Sequence, residues 1–147
     1  MGRIDSVCIS PKKGMIKKQV DQAVLESKWG ITGDAHAGTW HRQVSLLAAE
    51  SIETVKKKLP NLKHGAFAEN LVVSNLSLND VVIGDRFIID DSIILEVTQI
   101  GKECHNNSCA IKKATGTCIM PIEGLFTKVI HGGVVRAGST IEIESHL

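Results

Sequence analysis

Short β-rich runs joined by glycine-containing turns are the feature that most restricts the fold of this chain. The run at residues 81–89 (VVIGDRFII) resembles the run at 134–143 (VVRAGSTIEI), and in each a glycine and a polar residue link one β-rich stretch to an alternating one. Two such corners among many short strands indicate a curled or closed sheet rather than a doubly wound parallel one. We therefore predict a mostly β fold, a closed or strongly curled β-barrel, in a single domain over residues 1–147.

Two stretches of the sequence carry helical periodicity. Over residues 44–59 apolar side chains recur at helical spacing, Lys56–Lys58 load the last turn and Pro60 ends it, which predicts the main helix. A shorter amphipathic stretch at about 121–131 begins with Pro121, a residue favoured in the first turn of a helix. It predicts a short second helix.

Composition restricts the class of partner. The chain has 147 residues, with 17 Lys and Arg against 16 Asp and Glu, so its formal charge of +1 creates no global field for nucleic acid or membranes. Two Trp, three Phe and no Tyr argue against a base-stacking platform. No run approaches the roughly 20 apolar residues of a membrane span, and no signal-peptide core is present. We expect a cytoplasmic protein with reduced thiols that binds neither nucleic acid nor membrane.

The glycine-rich segment Gly33–Gly38 (GDAHAG) is a candidate binding loop. It lacks a phosphate-loop lysine and a dinucleotide fingerprint, but it combines close backbone approach at Gly33 with the Asp34 carboxylate and the His36 imidazole. Arg42 follows it and precedes the predicted main helix, where a helix N-terminus would also favour an anion. The alternative is that Asp34 is a turn residue and that His36 and Arg42 are solvated.

A second polar pair, Glu69 and Asn70, lies at the start of a strand-like run in FAENL. These side chains could offer hydrogen bonds to a heterocycle, or they could cap a turn.

The segment GKECHNNSC at 101–109 raises the question of thiol chemistry. Cys104, Cys109 and Cys118 with His105 could in principle form a Cys₃His zinc site, but no C-x-x-C spacing is present. Cys104 follows a predicted strand and has cationic neighbours in Lys102 and His105, which lower the pKa of a thiol and favour a nucleophile or metal ligand. Redox chemistry between Cys104 and Cys109 stays open.

Five motifs in order resemble one known family, the MOSC domain, named from the C-terminal domain of molybdenum cofactor sulfurase. They are GDAHAGTWHRQVSLLAAESIE, FAENLVV, IGDRFII, ILEVTQIGKEC and CIMPIEGLFTKVIHGGVVRAGSTIEI, and the likeness covers about residues 3–143. One departure is Gly138-Ser139, where the family usually has Gly-Asp at this corner. The chain resembles a small stand-alone bacterial-type MOSC protein, and the resemblance implies a β-barrel.

The resemblance also implies binding of the molybdenum cofactor, a pterin dithiolene with a phosphate tail. Cys104 matches the family's cysteine in the GKxC segment, which implies a persulfide carrier or a molybdenum ligand, and a soft thiolate suits such a metal. Arg42 would anchor the phosphate. The further residues implied at the pocket are Gly33, Asp34, His36, Glu69, Asn70 and Lys102.

The first functional hypothesis is therefore sulfur or cofactor handling for molybdoenzymes, with a cysteine desulfurase-type donor and acceptor molybdoenzymes as partners. The second is a molybdenum-dependent reductase of N-hydroxylated compounds, which would need a separate electron-donor protein because the chain has no ferredoxin-type cysteine set or flavin motif. A non-catalytic cofactor-binding module and a zinc-stabilised barrel are the third and fourth. The sequence leaves open whether the protein is an enzyme.

Overall fold

The computed structural model of the protein describes residues 1–101 and 123–145. In these ranges the chain forms eleven strands, one α-helix and one 3₁₀ turn. None of the helices described there is long and apolar enough to span a bilayer. The elements are β1 (Gly2–Ile9), β2 (Lys18–Val20), β3 (Gln22–Glu26), β4 (Gly30–Ile31), β5 (Val44–Ala48), α1 (Ala49–Lys56), β6 (Leu71–Ser74), the 3₁₀ turn (Leu78–Asp80), β7 (Arg86–Ile89), β8 (Ile93–Ile100), β9 (Leu125–His131), β10 (Gly133–Arg136) and β11 (Thr140–Glu144).

Seven of these strands close into a barrel. Their order is β1-β6-β5-β9-β8-β7-β11, and β11 returns to β1 through the pairs Gly2↔Ile141 and Arg3↔Thr140. Only β5 and β6 are parallel neighbours among the described strands. Closure removes the unpaired edges of an open sheet, while β3, β4 and β10 form a separate three-stranded sheet. The predicted mostly β barrel is confirmed.

The buried apolar side chains form two clusters. The main one lies inside the barrel, and the second lies between the outer face of the barrel and α1. β5 and β6 contribute to both, because Leu46 and Leu71 lie in the main cluster while Leu47 and Val72 pack in the second with Ile52 of α1. A strand that is buried on both faces needs a continuous apolar run rather than an alternating one. This explains why these segments read VSLLA and LVV.

The predicted main helix at 44–59 begins too early. Residues Val44–Ala48 are the strand β5, and the helix α1 spans only Ala49–Lys56. The apolar residues of this strand also fit a helical period, because a short strand that is buried on both faces is apolar at nearly every position and shows no alternation. Pairing with β6 on one side and β9 on the other decides the conformation.

The predicted second helix at about 121–131 is wrong over its described part. Residues Leu125–His131 are strand β9, which pairs with β5 and β8, and only Glu123 is helical; residues 121 and 122 lie outside the described ranges. Leu125 and Val129 face the main core while Phe126 packs in the cluster under α1. A central strand that is buried on both faces again mimics helical periodicity.

Candidate functional site

Basic and imidazole side chains surround the indole ring of Trp40, which lies in the connection between β4 and β5. Lys13 Nζ lies 4.4 Å from the Trp40 ring centroid and Arg42 Cζ lies 4.6 Å from it. The His36 ring stacks parallel to the indole at 6.3 Å, and the His41 ring meets it edge-on at 5.9 Å. We call these five residues the Trp40 cluster. Cations over an aromatic face are stabilised by the ring quadrupole, and their summed charge favours an anionic ligand.

Arg42 has an unmet hydrogen-bonding capacity. Its guanidinium lies between Trp40 and Phe126, whose ring centroid is 5.6 Å from Cζ. Its Nε is buried and has no hydrogen-bond partner in the part of the chain that the structure describes. A buried donor of a charged group is costly when unpaired. This nitrogen is therefore a natural partner for an acceptor brought by a ligand.

The neighbouring residue, Gln43, fixes Arg42 against the barrel wall. The Gln43 N–H donates to the carbonyl of Thr127 at 3.0 Å, and its side-chain Oε1 accepts from the Val129 N–H at 2.9 Å. The expected helix N-terminus is not beside Arg42, because Arg42 precedes a strand and α1 begins at Ala49. Any preference for an anion here comes from the side chains and not from a helix dipole.

A buried ion pair anchors the Gly33–Gly38 loop. Lys17 Nζ donates to Asp34 Oδ1 at 2.7 Å, and both side chains are 0% exposed. Asp34 also accepts from the main-chain N–H groups of Ser10 and His36, each at 3.1 Å. Gly33 adopts φ +85°, a conformation that glycine tolerates best. Asp34 therefore does more than cap a turn, since it joins the loop to the end of β1.

Nothing in the residues around Lys17 predicts that its side chain is buried. It lies in the lysine-rich stretch KKGMIKKQV, where a charge reads as solvated. The structure instead places its ammonium 2.9 Å from His36 Nδ1 and 3.3 Å from Ser10 Oγ. Lys17 thus belongs to the candidate site, although its sequence context does not reveal this.

Glu69 is fully buried and bonds to main-chain donors. Its carboxylate accepts from Gly65 N–H at 2.8 Å and from Phe67 N–H at 3.0 Å. Burial raises the pKa of Glu69, while these hydrogen bonds and the charge of Lys17 oppose the rise. Because the Lys17 N–H also donates to the Gly65 carbonyl at 2.9 Å, the turn that holds Glu69 adjoins the buried ion pair.

Asn70 is equally buried, lies directly before β6, and links β5 to β1 through its side chain. Its Oδ1 accepts from the Ser45 N–H of β5 at 3.0 Å, and its Nδ2 donates to the Cys8 carbonyl of β1 at 3.0 Å. These contacts are with the barrel itself. That Glu69 and Asn70 line a cofactor pocket stays a prediction.

Cys8 is a free, fully buried thiol on β1. Burial raises its pKa to about 12, with the Glu69 charge adding to the rise and the Lys17 charge opposing it. Because the thiolate is the reactive form, Cys8 has the properties of a core residue and not of a nucleophile.

The remaining predicted residues, Lys102 and Cys104, lie outside the described residues, as do His105, Cys109 and Cys118. The chain reaches that segment beside the Trp40 cluster. His41 Nε2 is 2.7 Å from Gln99 Oε1, and Gln99 Nε2 donates to the Gly101 carbonyl at 2.7 Å. Across the hairpin, the Gly101 N–H donates to the Gly124 carbonyl at 2.7 Å.

Within residues 1–101 and 123–145, no group of three or more His, Cys, Asp or Glu side chains could hold a metal ion. What the described site does offer is positive charge and a buried guanidinium donor without an acceptor. These features fit the phosphate tail of a pterin cofactor, because Arg recognises phosphate oxygens through its planar N–H donors.

The family model for the MOSC domain matches residues 33–142. This chain belongs to the MOSC domain family. The matched range contains the loop of Asp34 and His36, the Arg42 guanidinium and the Glu69 turn, whereas Lys13 and Lys17 precede it. The resemblance recognised in the sequence motifs is thereby confirmed at the level of the family.

Solved structures share the fold of this MOSC protein. The YuaD protein from Bacillus subtilis superimposes with a TM-score of 0.81 at 21% identity, covering 100% of this chain and 98% of that one. YiiM from Geobacillus stearothermophilus gives a TM-score of 0.71 at 17% identity, over 99% of this chain and 76% of that one. At these identities the likeness concerns the fold alone.

Two curated relatives are longer proteins. A reductase from Gibberella moniliformis is 32% identical over 96 residues, which cover 60% of this chain and 17% of the relative. The uncharacterised protein YflK from Bacillus subtilis is 27% identical over 143 residues, which cover 90% of this chain and 63% of the relative. The chain thus spans less than two thirds of either relative.

Proposed function

We propose that this MOSC protein binds the molybdenum cofactor at the Trp40 cluster, with Arg42 holding the phosphate tail. The single observation that carries the proposal is the buried Arg42 Nε, which has no acceptor among the described residues. When bound, the cofactor supplies a redox-active metal on a pterin dithiolene. A phosphate oxygen would give the Arg42 donor its acceptor, through a charge-assisted bond of the strong kind.

The charges around Arg42 support an anionic ligand. Lys13 and Arg42 lie over the same indole ring. The carboxylate of the loop itself, that of Asp34, is already engaged by Lys17 and by two main-chain N–H groups. The described cluster therefore has a surplus of positive charge, although Lys13 is exposed and Arg42 is half-buried.

We further propose that Cys104 supplies the thiol of the site, as persulfide carrier or as molybdenum ligand. Chain connectivity supports this role: Cys104 follows Gly101 by three residues, a span of at most about 11 Å, and Gly101 is bonded through Gln99 to His41 of the Trp40 cluster. In persulfide loading, the Cys104 thiolate attacks the outer sulfur of a donor persulfide. One S–S bond forms, the donor's S–S bond breaks, and the donor leaves as a thiolate with no net redox change.

A second candidate is a molybdenum-dependent reductase of N-hydroxylated compounds that receives electrons from a separate donor protein. The specific observation in its favour is the match to the Gibberella moniliformis reductase, 32% identical over 96 residues. Since the chain covers only 17% of that relative, the activity of the whole relative is a hypothesis for this protein.

The first experiment measures the cofactor directly. The protein is purified from a host that makes the cofactor, and bound molybdenum and pterin are quantified by metal analysis and mass spectrometry. Arg42→Ala should weaken cofactor binding by about 1.5–3 kcal/mol, roughly tenfold to 150-fold. The matched control is Arg3→Ala, whose side chain is 66% exposed in a surface pair with Asp5 and should retain full loading. Equal retention in both variants contradicts the role of Arg42, and wild-type protein without pterin contradicts the function.

The second experiment identifies the thiol. Cys104→Ser should abolish persulfide loading and lower cofactor retention, whereas Cys109→Ser should preserve both. The reverse pattern would show that Cys109 is the functional sulfur. Adding a hydroxylamine substrate with a reductant and an electron-donor protein to the loaded protein then distinguishes the reductase from a carrier or a non-catalytic module, because only the reductase turns over substrate.

A further inference from the structure

The loop between β1 and β2 carries a lysine of the Trp40 cluster. Residues 11–16 of this loop are all exposed, and Lys13 Nζ lies 4.4 Å from the Trp40 ring centroid. The loop precedes residues 33–142, the range that matches the MOSC family model. A ligand contact from Lys13 would therefore be a property of this chain that its family membership does not assign.

Both ends of this loop are tied to one buried carboxylate. Asp34 Oδ1 accepts from the Ser10 N–H at 3.1 Å and from Lys17 Nζ at 2.7 Å, and the side chain of Asp34 is 0% exposed. Ser10 adds contacts of its own, because its Oγ donates to the Lys12 carbonyl at 3.1 Å and lies 3.3 Å from Lys17 Nζ. The loop is thus closed at its base, next to the segment that carries Trp40.

The main chain holds the same base. The Ala35 N–H donates to the Ser10 carbonyl at 2.8 Å, and the Lys17 N–H donates to the Gly65 carbonyl at 2.9 Å. A Cβ added at Gly65 would lie 2.0 Å from the Lys17 carbonyl oxygen, so the packing at this point is close. These contacts fix where the loop leaves and rejoins the barrel, so Lys13 is restricted to a limited region near the indole ring.

Lys13 and Arg42 bring two positive charges to one ring. The distances to the Trp40 centroid, 4.4 Å for Lys13 Nζ and 4.6 Å for Arg42 Cζ, add to 9.0 Å, which is therefore the largest separation of the two groups. Within residues 1–101 and 123–145, neither forms an ion pair with a carboxylate. Like charges at this separation repel, and an anion that contacts both replaces the repulsion by two attractions. A phosphate monoester carries about 1.5 to 2 negative charges at neutral pH, which matches the pair.

We propose that Lys13 is a ligand-binding residue, which the Lys17–Asp34 pair holds beside Trp40, and that Lys13 and Arg42 together bind a doubly charged phosphate monoester. That this phosphate belongs to a cofactor rests on the proposed function, whereas the position of Lys13 and the preference for a double charge do not. Lys13 is exposed and Arg42 is half-buried, so the contribution of Lys13 should be the smaller of the two.

The position of Lys13 is measured first, without ligand. Protons that lie over an aromatic ring are shifted upfield by its ring current, so in NMR spectra of wild type the Hε protons of Lys13 should resonate upfield of those of Lys12. Lys12 is the internal control because it is the adjacent lysine and is also exposed. Trp40→Leu should remove the difference. Equal shifts of the two lysines in wild type, or a difference that survives in Trp40→Leu, would overturn the proposal.

The second arm tests the buried ion pair. Lys17→Met alone would leave Asp34 buried without its cation, so the variant is Lys17→Met/Asp34→Asn, which removes both charges at nearly constant volume. The folded variant should lose most of the upfield shift of Lys13, and an unchanged shift would overturn the proposal. If the double variant does not fold, the same comparison is made in Ser10→Ala, which deletes only the Oγ contacts to Lys12 and Lys17. There the shift should become smaller, and an unchanged shift again contradicts the proposal.

The third arm measures the preference for charge with small probes. Methyl phosphate, a monoester, and dimethyl phosphate, a diester with a single negative charge, are titrated into the protein and followed through the Trp40 indole N–H signal. Wild type should bind the monoester about threefold to fivefold more tightly, the upper range for an exposed charge pair. Lys13→Gln should lose most of this preference and Lys13→Arg should keep it. The matched control is Lys12→Gln, which changes the net charge equally and should behave as wild type.

The outcomes for Lys13 are distinct from those for the cofactor. Binding of neither ester, equal affinity for both, or equal effects of Lys12→Gln and Lys13→Gln would overturn the role of Lys13. Protein that binds methyl phosphate through Lys13 but is purified without pterin would refute the cofactor function and leave the phosphate site in place. Conversely, cofactor binding that Arg42→Ala weakens and Lys13→Gln does not would support the function and remove Lys13 from the site.

Discussion

Removing the Asn70 side chain is expected to destabilise the barrel strongly. Asn70→Ala deletes an amide that is 0% exposed and that accepts from the Ser45 N–H and donates to the Cys8 carbonyl, each at 3.0 Å. The amide Oδ1 also accepts from the Ser45 hydroxyl at 3.3 Å. The substitution therefore leaves main-chain groups of β1 and β5 buried without a side-chain partner.

The magnitude follows from the groups left unpaired. Each hydrogen bond contributes about 0.5–1.5 kcal/mol, and a buried group without a partner costs about 1–3 kcal/mol. Ser45 N–H and Cys8 carbonyl lose these bonds to the amide, and the truncated side chain leaves a small cavity. We expect the free energy of unfolding to fall by about 2–4 kcal/mol.

Urea unfolding followed by circular dichroism measures this change. The slope of the transition should stay constant, so that the shift in midpoint reports stability. Asn79→Ala is the matched control because Asn79 is exposed on the 3₁₀ turn, and it should change stability by no more than about 0.5 kcal/mol. If both variants behave alike, Asn70 does not link the strands, and its burial would need another explanation, such as the predicted contact with the cofactor.

Three further outcomes are expected. Gly65→Ala should lower the free energy of unfolding by at least about 2 kcal/mol more than Gly14→Ala does. Both glycines have a positive φ, but of the two only Gly65 would place its new Cβ against a main-chain oxygen, that of Lys17, at 2.0 Å. Equal losses of stability in urea unfolding would contradict this close packing. Cys8, whose pKa burial raises to about 12, should react with iodoacetamide only as the protein unfolds, and prompt labelling of native protein would refute this. Burial lowers the pKa of His64 below 6.5, so its stabilising contribution should be complete above about pH 6.5 and be lost as pH falls from there toward the lowered pKa. The urea midpoint of wild type should therefore fall between about pH 7 and about pH 5, and His64→Gln should make this fall smaller. Parallel pH profiles of the wild-type and variant midpoints would contradict the prediction.

The closed barrel was predictable because its corners are local features. Gly84 and Gly138 adopt φ +100° and +96° in short turns that lie directly before β7 and β11. A turn position that needs a left-handed conformation favours glycine, so such a turn can be recognised from the sequence alone. The closure between β11 and β1 is long-range, but corners of this kind already favour a curled sheet.

The errors at Val44–Ala48 and Leu125–His131 have one physical cause. These strands are neighbours in the barrel, and both contribute side chains to the main core and to the cluster under α1. A strand with two buried faces loses the alternating pattern that identifies a strand. What distinguishes it from a helix is its neighbours, and these become adjacent only in the folded chain.

Part of the candidate site could be picked out from the sequence. Asp34, His36 and Arg42 stood out because these residue types occur close together in one loop, and in the structure His36 and Arg42 lie against Trp40 while Asp34 lies beside His36. Their role in binding stays a prediction. The helix N-terminus invoked for Arg42 was wrong, since it depended on the misplaced helix start. Lys17 could not be found, because nothing in a run of lysines distinguishes the one that folding buries.

The hydrogen bond between Gly101 and Gly124 has a consequence for how this protein can diversify. It closes the β8–β9 hairpin at the residues that flank the 102–122 segment, so the pairing of the barrel strands does not depend on the composition of that segment. Doubling the length of a flexible connection costs only about 0.6 kcal/mol in closure entropy. Insertions, deletions and exchanged cysteines in 102–122 should therefore have little effect on the stability of the barrel. A new segment grafted between these two glycines can therefore replace residues 102–122 while the pairing of the barrel strands is kept.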